Sequence, residues 1–190
     1  MVVVGLDEVG RGCWAGPLVA CAVILDKHID GLRDSKLLSK RQRLYLAKNI
    51  TSSAKATGLG WVRSDLIDKI GLTAATTLAM QRALDQIPLI YHEIIIDGNY
   101  NYLANERLAR TLIKADQTVA SVSAASIIAK VSRDSWMHTV AAKKYPKYGF
   151  EKHLGYGTVL HRQMLQAYGP CQLHRLSFKP VAQILQEFTS

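Results

Sequence analysis

Two unbroken apolar runs, Val2 to Leu6 and Leu18 to Leu25, punctuate the chain, and Tyr91 to Ile96 closes on a third, Ile94-Ile95-Ile96. Each is too short for a buried helix and lacks the alternation of a half-exposed strand, so each reads as a strand covered on both faces. Lys55 to Val62, interrupted by Gly58 and Gly60, reads as a further strand, and Thr111 to Thr118 as a weaker one. Between them the spacing is helical. A basic helix follows Ser39 as N-cap and carries Lys40, Arg41, Arg43, Leu44, Ala47 and Ile50. Ser64-Asp65 opens a short helix that Gly71 ends, and a longer one from Thr73 to Gln86 stops before Pro88. Ser121 to Lys144 reads as one long helix ended by Tyr145-Pro146. A loop rich in Gly and Tyr follows, then a helix closed by Gly169-Pro170 and a last helix with Pro180 in its first turn.

The first three strands follow one another directly and predict an antiparallel meander. The later strands are separated by helices and should run parallel. That order is a mixed α/β one, which several layouts share. No repeat or low-complexity linker divides the chain, so 1–190 reads as one domain, with a core over about 1–145 and a helical C-terminal element over about 146–190.

Composition narrows the class. Hydrophobic residues make up 48% and charged residues 21% of the 190 positions, which is globular rather than disordered. No apolar run approaches the ~20 residues of a membrane helix. The first apolar run meets Asp7 and Glu8 at once, unlike a signal peptide. Three cysteines (Cys13, Cys21, Cys171) without a CxxC pair fit free thiols in a reducing compartment, so a cytoplasmic protein is expected. The histidines lack zinc-like spacing, and His153, His161 and His174 read as surface or phosphate-facing residues of a basic tail. With 24 Lys+Arg against 15 Asp+Glu, the net charge of +9 points to a polyanionic partner or simply to a soluble basic surface.

The positions of the few acids decide more. Asp7-Glu8 sits at the end of an apolar strand, where two carboxylates are costly unless something compensates them. A divalent cation does so directly, and carboxylate oxygens are the hard ligands that Mg²⁺ and Mn²⁺ favour. Taken alone, the pair reads more simply as a solvated strand end. Ile94-Ile95-Ile96 running into Asp97 changes that, because it repeats the arrangement at the end of a second buried strand, where open α/β sheets bind ligands. Asp116, after Ile113-Lys114-Ala115, adds a third acidic position. Acids gathered this way on a basic protein meet the requirement of two-metal phosphodiester hydrolysis. Gly10-Arg11-Gly12 is no dinucleotide fingerprint: its next glycine, Gly16, comes one residue too late, and Pro17 and a strand follow instead of a helix. It is either a plain turn or a loop kept bare so that backbone can approach a ligand.

Asp7-Glu8-Val9-Gly10-Arg11-Gly12-Cys13-Trp14-Ala15-Gly16-Pro17-Leu18-Val19 resembles the signature of the ribonuclease HII family. The resemblance continues through Asp34-Ser35-Lys36, Ala75-Thr76, Leu78-Ala79-Met80, Ile96-Asp97-Gly98, Lys114-Ala115-Asp116, Ala124 to Val131 with Arg133-Asp134, Gly155-Tyr156-Gly157-Thr158 and His174 to Phe178. It covers nearly the whole chain. It departs at Thr118, Val119, Leu154, Val159 and Leu160, none of them a matched metal ligand.

The resemblance implies a ribonuclease-H-like mixed sheet flanked by helices, with Asp7, Glu8, Asp97 and Asp116 as catalytic ligands of Mn²⁺ or Mg²⁺. It implies that the Gly10, Arg11 and Gly12 backbone reads a 2′-hydroxyl at an RNA–DNA junction, that Tyr156 stacks on the following deoxyribose, and that Ser35 and Lys36 lie by the substrate backbone. The implied partner is nucleic acid, an RNA–DNA hybrid or a DNA duplex with embedded ribonucleotides. The implied enzyme is a monomer that leaves 3′-hydroxyl and 5′-phosphate ends. A junction resolvase or transposase-like nuclease accounts for the acids but not for the Gly-Arg-Gly loop with Tyr156. A non-catalytic binding module accounts for the charge but not for strand-end acids. From the residues alone, Ala124 to Val131 reads as helix packing with Ser123 and Ser126 near the site. Asp134 reads as an i, i+4 partner of Lys130, and Trp14 and Trp61 as core or platform residues.

Overall fold

The computed structural model describes residues 1–189. Five strands form one sheet in the order β3-β2-β1-β4-β5. β1 (Val3–Val9), β2 (Leu18–Leu25) and β3 (Ala54–Val62) are an antiparallel meander. β4 (Glu93–Asp97) joins β1 in parallel, and β5 (Ala109–Leu112) joins β4 in parallel. This is the expected mixed sheet. The first strand runs longer than its apolar run predicts, so Asp7 and Glu8 lie within β1, pointing to opposite faces.

Helices cover both faces. On one, α3 (Leu72–Leu84) packs Ala75, Ala79, Met80 and Ala83 against Val4, Leu6, Leu18, Ala20, Ile94 and Ile96, with α2 (Ser64–Ile70) beside it. On the other, α1 (Lys40–Ser53) and α5 (Ala120–Trp136) pack against Cys21 and Val23. α1 starts as expected, with Ser39 and Gln42 forming a reciprocal capping box. α5 lies very close to β1: a Cβ on Gly5 would stand 2.2 Å from the Ser121 carbonyl carbon. Only a glycine admits that approach, and it brings the α5 serines down onto the strand that carries Asp7.

Two sequence expectations need correction here. The segment expected as a strand over Thr111 to Thr118 is strand only to Leu112. Lys114 then takes a left-handed conformation (φ 58°) and Ala115–Thr118 turns into a short helix, α4. A strand cannot continue through a left-handed residue. The long helix expected to Lys144 changes pitch, from α5 to a π-helical stretch Met137–Ala141 and then α6 (Ala142–Lys144). Beyond it come α7 (Phe150–His153), α8 (Val159–Tyr168, closed by Gly169) and α9 (Lys179–Thr189). They pack through Tyr148, Phe150, Leu165, Val181 and Ile184.

Candidate active site

The parallel register of β1 and β4 pairs Leu6 with Ile96, so Asp7 and Asp97 follow side by side on the face that α5 covers. The left-handed turn at Lys114 swings Asp116 toward them, and its N–H donates to Asp97 Oδ1 at 3.4 Å. Glu8 points to the other face of β1 but stays at the same strand end, 3.8 Å from Arg11. Asp7 and Asp116 are buried. Burial holds the Asp7 carboxyl well above the usual range, and the neighbouring charges of Glu8 and Asp97 add to that. Burial likewise raises Glu8 and Asp116, each also pushed by Asp97.

Two cations answer the acids. Arg11 faces Glu8, and Lys36 reaches Asp116 at 3.9 Å and Asp34 at 3.8 Å while its side chain stays 78% exposed. Among the described residues no three His, Cys, Asp or Glu side chains are already arranged to hold a metal ion. The donor set nonetheless consists of hard carboxylate oxygens whose negative form is raised in energy by burial, which is what a divalent cation relieves.

Ser126 of α5 ties the acids to the neighbouring turn. It hydrogen-bonds toward Asp7, lowering that carboxyl somewhat, and its Oγ lies 2.9 Å from Ser35 Oγ. Ser35 is buried at the start of the 3₁₀ turn Ser35–Leu37, which Asp34 caps through the Lys36 N–H. Ser123 Oγ donates to the Asp116 carbonyl. Ser35 and Lys36 therefore lie with the acids, as do Ser123 and Ser126.

The Gly10-Arg11-Gly12 loop leaves β1 beside this group, and its two glycines differ. Gly10 has φ 90°, and a Cβ there would stand 2.4 Å from Arg133 Nε. Its bareness has an internal cause. A Cβ on exposed Gly12 would meet no protein atom within 4 Å, so nothing inside the molecule requires glycine there. The Gly155-Tyr156-Gly157 segment is bolted to the same loop, since Trp14 N–H donates to the Gly155 carbonyl at 2.8 Å. Tyr156 is half-buried, with Lys130 Nζ 5.1 Å and the Arg133 guanidinium 5.6 Å from its ring centroid. Burial, with Cys13 nearby, pushes its phenol up to about 12.

A family model described as Ribonuclease HII matches residues 4–181. The chain belongs to the ribonuclease HII family. Ribonuclease HII of Albidiferax ferrireducens is 44% identical to it over 188 residues, covering 98% of this chain and 90% of that one. Ribonuclease HII of Roseiflexus castenholzii is 44% identical over 192 residues, covering 94% and 82%. The fold matches the crystal structure of ribonuclease H2 from Pyrococcus horikoshii with a TM-score of 0.84 at 26% identity, each chain covered in full. This ribonuclease HII chain is thus an endonuclease of RNA–DNA hybrids. No helix among its described residues is long and apolar enough to cross a membrane.

Two arginines of this ribonuclease HII chain fasten the segment from Arg11 to Pro17 to α5 and the C-terminal element, and sequence reasoning gave neither a role. Arg133 is fully buried in α5 and donates to the carbonyls of Pro17 (2.8 Å), Ala15 (3.1 Å) and Leu154 (3.0 Å). Arg175, also fully buried, donates to Arg11 (2.9 Å) and Gly16 (2.9 Å). Asp134 pairs with Lys130 at 3.0 Å, the spacing partner expected. The histidines need correction. His153, His161 and His174 are not surface residues but are buried among Trp14, Tyr148 and Phe150. Their rings satisfy backbone groups of the Gly-Tyr-Gly loop and of the segment after α8, a demand that composition does not display.

Proposed function

We propose that this enzyme, besides cutting the RNA of hybrids, incises 5′ to ribonucleotides embedded in duplex DNA by metal-assisted hydrolysis, leaving 3′-hydroxyl and 5′-phosphate ends. The observation that carries this reading is the meeting, at one sheet end, of Asp7, Glu8, Asp97 and Asp116 with a Gly-Arg-Gly loop fastened to Tyr156. Asp7, Glu8, Asp97 and Asp116 would hold the divalent cations, Mn²⁺ or Mg²⁺. When bound, such ions activate the attacking water and stabilise the departing 3′-oxygen. The burial cost at Asp7, Glu8 and Asp116, with only Arg11 and Lys36 nearby, supports the assignment.

The chain's own residues supply the rest. Gly12, bare without internal need, leaves room for its backbone to contact a ribose 2′-hydroxyl. Tyr156 offers a flat ring to the deoxyribose that follows. Lys36, exposed beside Asp116, meets a substrate phosphate, and the +9 net charge draws the nucleic acid in. Ser35 positions that turn through Ser126. The cysteines, free among the described residues, fit a cytoplasmic, reducing setting.

The test is incision of a DNA duplex carrying one ribonucleotide, with Mg²⁺, with Mn²⁺ and with chelator. Metal-dependent incision on the 5′ side is expected. No incision with either ion, while an all-RNA hybrid strand is still cut, would overturn the reading.

A further inference from the structure

The three buried imidazoles form a network with a single proton arrangement. Tyr156's carbonyl can only accept, so His161 Nδ1, 2.9 Å away, carries a hydrogen. A neutral imidazole has one N–H, which leaves His161 Nε2 as an acceptor. His174 Nε2, 3.0 Å from it, must then be the donor. His174 Nδ1 in turn accepts from the Cys171 N–H at 2.9 Å. The chain of bonds therefore runs one way, from Cys171 through His174 and His161 to the backbone of Tyr156. His153 stacks on His161 with ring centroids 4.2 Å apart, accepts the Gly155 N–H and faces the Tyr148 carbonyl. Burial pushes His161 down to about 4 and His174 down to about 3, so both are neutral near pH 7.

A pair placed only for packing needs no such polarity, and apolar rings would fill the space. The two ends of the relay show what it connects. One end is the backbone of Tyr156, whose N–H is held by the His153 carbonyl. The other is the segment that meets the substrate-side loop, where His174 bridges to Ala15 and Arg175 N–H donates to Trp14 at 2.8 Å. Tyr156 and the Gly10–Gly12 loop lie far apart in sequence, and the imidazole–imidazole bond braces the Tyr156 segment to the residues, 173 to 175, that are bonded to Trp14, Ala15 and Gly16 just beyond that loop.

We propose that His161 and His174 are positioning residues for junction recognition, fixing Tyr156 in register with the Gly10–Gly12 loop. The proposal rests on the reading that Tyr156 contacts the sugar following the ribonucleotide. Neither histidine touches substrate. Their effect should appear as discrimination: the ratio of kcat/KM on a one-ribonucleotide duplex to kcat/KM on an all-RNA hybrid strand. Loss of folded protein lowers both values equally and leaves the ratio unchanged.

His161→Leu removes both bonds, whereas His161→Asn keeps an N–H near the Nδ1 position and so the bond to Tyr156. His161→Leu should lower the ratio about tenfold, the scale of one lost buried hydrogen bond, and His161→Asn should restore most of it. His161→Leu added to Tyr156→Ala should change the ratio no further, because both act on one contact. If His161→Leu fails to fold, His174→Gln, which keeps a donor toward His161, is compared with His174→Leu in the same way. A ratio unchanged in folded His161→Leu or His174→Leu, while Tyr156→Ala lowers it, would overturn the proposal. A ratio that Tyr156→Ala itself leaves unchanged would instead overturn the underlying reading of Tyr156.

Discussion

At the end of the sheet, burial pushes the carboxyls of Asp7, Glu8 and Asp116 upward, while in the C-terminal element it pushes His153, His161 and His174 downward. Both shifts disfavour charge, yet the regions differ in what surrounds the groups. The imidazoles have found neutral partners, backbone carbonyls, N–H groups and one another. The acids have fewer: the Glu8 N–H and Ser126 on Asp7, the Asp116 N–H on Asp97, and two partly exposed cations 3.8 and 3.9 Å away are a thin answer to four carboxylates. The C-terminal element is satisfied by its own groups, whereas the sheet end keeps more negative charge than its two cations offset. Unbalanced charge sits at the sheet end and neutral bracing in the C-terminal element, and pH should act on their contributions to stability with opposite sign.

The largest effect should come from the acids. Asp7→Asn and Asp97→Asn should each lower cleavage by at least about 10³-fold, the scale of removing one preorganised charge-stabilising group. Because each also removes a repelling charge, the metal-free variants should melt no lower than the unsubstituted protein, read by circular dichroism. Near-normal cleavage with Mn²⁺ by either variant would break the contrast. Arg133→Met should act the other way. It strips donors from three carbonyls and should cost roughly 3 kcal/mol or more in a urea titration, at about 1 kcal/mol or more for each unsatisfied group.

Acid should separate the two regions. A histidine whose folded value is depressed contributes stability that is complete above about 6.5 and is lost as pH falls toward the folded value. For His161 and His174 the window runs from about 6.5 down to about 4 and about 3. At ~1.4 kcal/mol per pH unit, each should withdraw about 2 kcal/mol by pH 5. The raised carboxyls do the reverse: their penalty is absent below about pH 4 and grows as pH rises. Asp7→Asn should therefore steepen the loss of metal-free stability on acidification, and His161→Asn should flatten it. Identical pH profiles for both variants and the parent would show that neither region governs acid stability. The smallest effect belongs to Lys36→Ala, which should make the slope of log affinity against log salt shallower by about 0.9, one phosphate contact. An unchanged slope would take Lys36 off the substrate.

The sheet and the acids were legible because both follow local rules. Apolar runs of strand length give β1, β2 and β4, and acids at their ends are conspicuous against a basic background. The gathering of Ser35, Lys36 and Tyr156 about that end came from the family resemblance, not from periodicity. What stayed hidden depends on partners distant in sequence. Arg133, Arg175 and the three histidines carry the residue types of a solvated surface, and only carbonyls delivered by several separate segments make their burial tolerable. The short strand at β5 misled for a related reason. Leu112 and Ile113 have the pattern of a longer strand, and the turn at Lys114 answers to Asp97, which accepts from the residue two places on.

The bond from Arg175 to the Arg11 carbonyl spans 164 residues of sequence. A ribosome delivers the Gly-Arg-Gly loop first and the residue that clamps it only 164 residues later. Secondary structure in the meander can form while the chain is still being made, but the Gly-Arg-Gly loop has to wait for the segment that carries Arg175. A nascent chain, or one cut short before Arg175, would hold its strand-end acids beside a loop that this arginine does not yet clamp. The clamp makes the shape of this loop depend on a segment synthesised long after it.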